Sequence, residues 1–349
     1  MTSRIPHLLE PYLALPDEAS LIVLTGVLGA STNWLVLRHL YALLKQAGTA
    51  KPPQPGVTVT GASPAAAAGQ EEEAAVLLVS FLRDLAFWRD GLARLGVDLE
   101  AAARRGRFAY VDGLGGGLGG GGSLKSGEAT GGGGGGGGGG STQAIRPHHQ
   151  SQSQHQSRQQ QQQQQQQRAG VAGWKRVPAS LAPGDIARVV LEGVAQLKKG
   201  GSAGTGLGDR EGRERKVVLV IDGLDFVLAA SPPPSSAGGE PSGIATAVWE
   251  MLMDLRENTH AAIVTVAADD PLIKEQQTSL EKQHAWFALS LVHEADAVLS
   301  LRLLDTGVAK DVSGVIRITH GGGRLLARDQ EYLYHVGGDG GVKVFERGQ

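Results

Sequence analysis

The chain has no cysteine, which removes disulfides, thiolate catalysis and thiolate zinc sites together and fits an intracellular protein. It also lacks a dominant charge. With 33 Lys and Arg against 35 Asp and Glu, the formal charge is -2 and the pI is near 6.6. That balance excludes a globally basic nucleic-acid binder and confines any RNA or DNA contact to a local patch. No run approaches the ~20 apolar residues that span a bilayer. The first residues lack the basic and then apolar order of a signal peptide. These absences predict a soluble protein.

Glycine is in excess, 52 of 349 residues, and it is clustered. Gly115 to Gly140 is mostly glycine and runs on into a Gln, Ser and His tract through Gln159 to Gln167. Such sequence buries too little apolar surface to offset its ordering entropy. Residues 113–172 are therefore expected to be a disordered insertion, with Gly200 to Gly212 and Ser231 to Gly243 as shorter flexible loops. His148, His149 and His155 have no scaffold or further ligands to build a metal site, and a solvated spacer accounts for them.

Without the insertions, the chain alternates strands and helices. Strands are expected at Leu21–Leu24, Ala75–Phe81, Phe108–Val111, Val217–Ile221, Ala262–Val266 and Ala297–Leu301. Helices are expected at Thr32–Ala47, Asp84–Arg104, Pro183–Lys198, Ile244–Asn258 and Ser279–His293. In the tail, Val312–Thr319, Glu331–Val336 and Val342–Phe345 lie between Gly-rich turns and look like antiparallel strands. The pattern predicts an α/β fold with a mostly parallel sheet covered on both faces. Residues 1–112 and 173–349 would form two parts of one domain.

Leu21 to Asn33, LIVLTGVLGASTN, has the outline of a phosphate-binding loop. In G-x-x-x-x-G-K-[ST], backbone amides cradle phosphate, the lysine meets the outer phosphates and the hydroxyl binds magnesium. Counting from Gly26, those last three places hold Ser31, Thr32 and Asn33, and starting at Gly29 supplies no lysine either. Arg38, six residues along the helix from Thr32, would stand about 9 Å away. A charge-assisted contact is worth about 1.5 to 3 kcal/mol, so the loop should have lost most of its affinity for a triphosphate. No cofactor is expected, apart from ATP held weakly or at a subunit boundary.

Asp222 ends the strand VVLVI, where an NTPase holds the carboxylate that orients magnesium; Asp222-Gly223 is equally a turn dipeptide. Asp269 and Asp270 form a carboxylate pair at another strand end, but Asp270 before Pro271 reads as a helix N-cap. In Phe81-Leu82-Arg83-Asp84, Leu82 and Arg83 cannot serve where a RecA-type ATPase carries a water-activating glutamate, and Asp84 fits a helix cap. Trp34, Trp88, Trp249 and Trp286 fall on helices, where core or interface burial explains them. Lys274, Gln276, Gln277, Lys282 and His284 form a polar segment that reads either as a solvated loop or as a loop facing a ring opening, able to hold a phosphate backbone.

The words VLTGVLGASTNWLVLRHLYALL, VSFLRDLAFWRDGLARLGVDL, FAYVDGL, VVLVIDGLDFVLA and HAAIVTVAADDPLI, in this order, resemble the sixth-subunit family of Elongator in filamentous fungi. So do EKQHAWFALSLVHEADAVLSLRLLDTG, GVIRITHGG and EYLYHVGGDGGVKVFERG. The resemblance covers nearly all of the chain outside the Gly and Gln insertion, and joins the unusual loop GVLGASTNW to SFLRD. It implies a RecA-like fold that assembles with the fourth and fifth Elongator subunits into a hetero-hexameric ring, two copies of each. It also implies an accessory role beside the Elongator core in tRNA wobble uridine modification, ATP-sensitive tRNA binding, and a cytoplasmic and also nuclear location. The chemistry of modification belongs to another subunit, so the chain is expected to be a pseudo-ATPase and not an enzyme. Two other readings remain open: an active RecA-type ATPase in recombination or repair, and a protein-interaction scaffold without nucleic-acid contact.

Overall fold

The computed structural model describes residues 4–45, 74–118, 173–199, 214–230, 243–304, 309, 311–321 and 329–347. In chain order the strands are β1 (Ser20–Gly26), β2 (Ala75–Ser80), β3 (Phe108–Asp112), β4 (Lys175–Arg176), β5 (Val217–Asp222), β6 (Ala261–Ala267), β7 (Ala297–Arg302), β8 (Gly314–His320), β9 (Gln330–Val336) and β10 (Val342–Phe345). The helices are α1 (Glu10–Leu13, entered through a 3-10 turn His7–Leu9), α2 (Asn33–Lys45), α3 (Leu85–Leu95), α4 (Leu99–Arg104), α5 (Gly113–Leu118), α6 (Pro183–Lys199), α7 (Phe226–Ala230), α8 (Gly243–Glu257) and α9 (Ser279–Glu294).

All ten strands lie in one sheet, in the order β10-β9-β8-β7-β1-β6-β5-β2-β3-β4. From β7 to β4 every pairing is parallel, and β8, β9 and β10 extend the sheet antiparallel beyond β7. The central strands are apolar on both faces because helices cover both. Ile22, Leu24, Val76, Leu78, Val218 and Val220 face a core closed by α1 to α4. Leu21, Val23, Leu77, Val79, Leu219 and Ile221 face a second core closed by α6 to α9. The period of two along each strand thus supplies both layers. This is an α/β arrangement with a mostly parallel sheet, in which β1, which carries the glycine loop, is separated from β5, which carries Asp222, by β6. No helix among the described residues is long and apolar enough to cross a membrane.

Most expected elements are present within a residue or two, and the departures have local causes. The single helix expected over 84–104 is two. Gly96 ends α3 in the left-handed region at φ +83°, its N–H returning to Ala93 and Leu92, and Asp98 starts α4 by accepting the N–H of Ala101. Asp270 is not an N-cap. Its backbone is already helical and its side chain makes no capping bond to the wide π-type turn Pro271–Glu275 that follows. The cap moves to Thr278, which forms a capping box with Glu281 at the start of α9. Gly113–Leu118 is helical, where the sequence suggested that a disordered insertion begins. The rest of that segment, with the histidines at 148, 149 and 155, lies outside the described residues, as do 200–213 and 231–242.

Candidate functional site

The loop after β1 and the segment after β6 meet at the carboxyl edge of the sheet. Helix α2, which follows β1, lies on one face, while α9, which follows the neighbouring β6, lies on the other. Adjacent parallel strands whose connections leave in opposite directions open a crevice, and ligands of α/β proteins bind there. In this chain the crevice is bridged from within: Asp269 Oδ1 accepts the backbone N–H of Leu28 at 2.7 Å.

The glycine loop is tight. A Cβ on Gly26 would stand 2.8 Å from the carbonyl oxygen of Ala30, and Gly29 sits at φ +90°, so both positions need glycine for space or conformation. Ser31 Oγ accepts the N–H of Asn33, and the carbonyl of Thr32 accepts Leu35 and Val36, so helix α2 is started by the loop's own atoms. Leu303 packs over Gly29, and Leu28 is 86% exposed at the rim. The lining is thus apolar and acidic where a phosphate loop carries a lysine. Arg38 does not compensate: it is buried and its Nη2 donates to the carbonyl of Gly340 at 3.0 Å.

Asp222 lies at the end of β5, in register with Ser80 at the end of β2. It is 1% exposed. Ser80 Oγ donates to Asp222 Oδ2 at 2.8 Å and accepts the N–H of Arg83, while Thr265 Oγ1 reaches Oδ1 at 3.4 Å and accepts the N–H of Gly223. Burial raises the Asp222 pKa above the ordinary carboxylate value, and the Ser80 hydrogen bond is the largest opposing effect. The carboxylate therefore ties β2, β5 and β6 together. No group of three or more His, Asp or Glu among the described residues is gathered as a metal site.

Beyond β2, Asp84 caps α3 through the N–H of Phe87, and Arg83 lies over the Phe87 ring. Trp88 is fully buried and Trp34 nearly so, whereas Trp286 is 45% exposed and meets Trp249 edge to face.

The polar segment after β6 divides. Lys274, Gln276, Gln277 and Lys282 are exposed. Lys274 pairs with Asp270 at 2.9 Å, Gln276 adopts φ 46° with its side chain on the Ile273 carbonyl, and the N–H of Gln277 is held by Glu281. His284 does not belong with them. It is 4% exposed, and its Nε2 lies 3.3 Å from Asp225 Oδ2, because its place on α9 turns it toward the sheet. Asp225 also accepts the N–H of Ala267, so this pair braces the end of β6 beneath the polar segment.

Sequence reasoning did not find the roles of Asp269, Leu303, Ser80 and Thr265. Each acts across strands distant in sequence, and only the position of Asp269 directly after an apolar strand was a signal.

No family model matches the sequence, and no curated protein matches it. Two solved structures align with the chain over nearly its whole length at low identity. A KaiC-like protein of the hyperthermophilic archaeon Pyrococcus horikoshii OT3 superposes with a TM-score of 0.48 at 14% identity, over 99% of this chain and 97% of that one. A further Pyrococcus horikoshii protein, uncharacterized and solved with an unknown peptide, gives 0.47 at 12% identity over 100% of both chains.

Proposed function

We propose that this chain is a non-catalytic RecA-like subunit of the Elongator accessory ring, joined to the fourth and fifth Elongator subunits and supporting tRNA binding for wobble uridine modification. One observation carries the non-catalytic part: the loop amide of Leu28 is held by the carboxylate of Asp269 in a loop that contains no lysine. A triphosphate entering this crevice would have to displace a like-charged group without the lysine contact, worth about 1.5 to 3 kcal/mol, that a working loop supplies. Asp222 supports the same reading, since its oxygens face Ser80 and Thr265 in a buried site. The assignment to Elongator rests on the loop GVLGASTNW together with SFLRD and the other segments that resemble the sixth subunit.

In such a ring the exposed Lys274, Gln276, Gln277 and Lys282 supply a polar loop toward a phosphate backbone, with the cations repeated by symmetry. The reading is tested by native mass measurement of the full chain co-expressed with the fourth and fifth subunits. A hetero-hexamer with two copies of each is expected. A chain that stays outside the assembly overturns the proposal.

A further inference from the structure

A cavity of about 260 Å³ lies on the face of the sheet covered by α2 and α3, away from the glycine loop, and three arginines line it: Arg4, Arg38 and Arg94. They come from the amino-terminal segment, the middle of α2 and the last turn of α3. The acid lining the cavity is Asp339, in the turn between β9 and β10, and its Oδ1 already accepts the N–H of Gly341 at 2.9 Å. The lining therefore carries a formal excess of two positive charges, three guanidiniums less one carboxylate.

Part of this has a structural explanation. Arg4 lies against Gly96, where a Cβ would meet its Nη1 at 3.3 Å, and Arg94 is in the last turn of the same helix, so both complement the negative end of α3. Arg38 is not explained that way. It is 3% exposed and lies in the interior of α2. A guanidinium has five N–H donors, yet among the described residues Arg38 makes one hydrogen bond, to Gly340, and its Nε is buried without a partner. Neither Arg4 nor Arg94 has an ion-pair partner among the described residues. Burying the Arg38 guanidinium on a cavity that two further arginines line, with so few acceptors, is unfavourable unless an anion is supplied.

We infer that this cavity binds a single phosphate group, the dianion of orthophosphate or of a phosphomonoester. The charge excess matches a dianion, and planar guanidinium forks suit its oxygens. The volume is below the roughly 300 to 1,000 Å³ of sites for drug-sized ligands, so it accommodates the phosphate and little beyond it. The inference does not depend on the ring reading, because it concerns a different region of the fold and no nucleotide chemistry.

The test is calorimetric titration of the full-length chain with orthophosphate and, separately, with glycerol 3-phosphate, in chloride buffer of constant ionic strength. Replacing Arg38 would also release the β9–β10 turn from α2, so the variants are Arg94→Gln and Arg4→Gln on exposed side chains, each checked for an unchanged unfolding temperature. Saturable binding of orthophosphate is expected, weakened about tenfold or more in either variant, as befits the loss of one charged hydrogen-bond donor group. Binding of both probes identifies a site open to esters, and binding of orthophosphate alone a site for the free ion. Absence of saturable binding by both, or affinities within threefold of the parent in both variants, overturns the inference.

Discussion

Asp269 holds the backbone N–H of Leu28 at 2.7 Å across 241 residues of sequence. This contact joins the loop after β1 to the end of β6 and places a fixed carboxylate in the crevice where an α/β protein of this topology binds its ligand. It gives the glycine loop an acceptor of its own.

Removing that carboxylate should make the loop receptive only when a cation is supplied as well. Thr32→Lys alone is expected to give no measurable ATP binding, because Asp269 still faces the loop. Thr32→Lys combined with Asp269→Ala is expected to bind a fluorescent ATP analogue. Equal binding by the single and double variants would show that Asp269 does not guard the loop. Asp269→Ala by itself should cost about 1 kcal/mol of stability, since the bond it removes is exposed.

Asp222 separates a structural carboxylate from a magnesium ligand. Its pKa is raised by burial from the ordinary 3.8. A raised carboxylate binds its proton more tightly in the folded state, so its favourable contribution is complete below that ordinary value and is lost as pH rises through the folded value. Above the folded value the buried charge is therefore a cost. Asp222→Asn, which keeps the shape and one of the two acceptor oxygens, for the shorter bond from Ser80, and removes the charge, should be neutral or stabilising at pH 7 in chemical denaturation. Asp222→Ala, which strands the hydroxyls of Ser80 and Thr265, should lose about 1 to 3 kcal/mol. A marked loss in the asparagine variant would contradict the structural role.

His39 should dominate one part of the acid limb of stability. It is fully buried, neither ring nitrogen has a hydrogen-bond partner among the described residues, and burial lowers its pKa from 6.5 to about 4. A depressed histidine contributes stability above its unfolded pKa and loses it as pH falls through the folded value. The loss between pH 6.5 and 4 should approach about 3 kcal/mol. His39→Leu should flatten this interval in denaturant titrations across pH; an unchanged slope would show that the imidazole is solvated.

The strand and helix alternation was legible because the central strands are apolar on both faces, and the capping box at Thr278 and Glu281 was present as Thr-Ser-Leu-Glu. The break of the helix at Gly96 was missed because continuous periodicity concealed it, although Gly-Val-Asp supplies a left-handed terminator followed by a new cap. The glycine loop and Asp222 were readable by position, but their internal partners were not. Asp222 meets Ser80 across 142 residues, and His284 meets Asp225 across 59. His284 stood among the exposed lysines and glutamines because its neighbours in sequence are polar; the face of α9 packed on the sheet decides its burial.

The polar segment after β6 makes its own prediction. If the chain assembles into the proposed ring, Lys274→Ala with Lys282→Ala should weaken tRNA binding by that ring and reduce the dependence of log affinity on log salt by about 0.7 to 0.9 for each phosphate that is no longer neutralised. Unchanged binding by an intact ring would remove this segment from the RNA-binding surface. The ion pair between Lys274 and Asp270 is exposed on both sides, so it holds the lysine only weakly and leaves it available to phosphate.

The most direct test is magnesium-dependent ATP hydrolysis by the purified chain, free of other proteins. The account predicts no turnover above the buffer blank, and no change on Asp222→Asn. Sustained turnover that falls in that variant would contradict it.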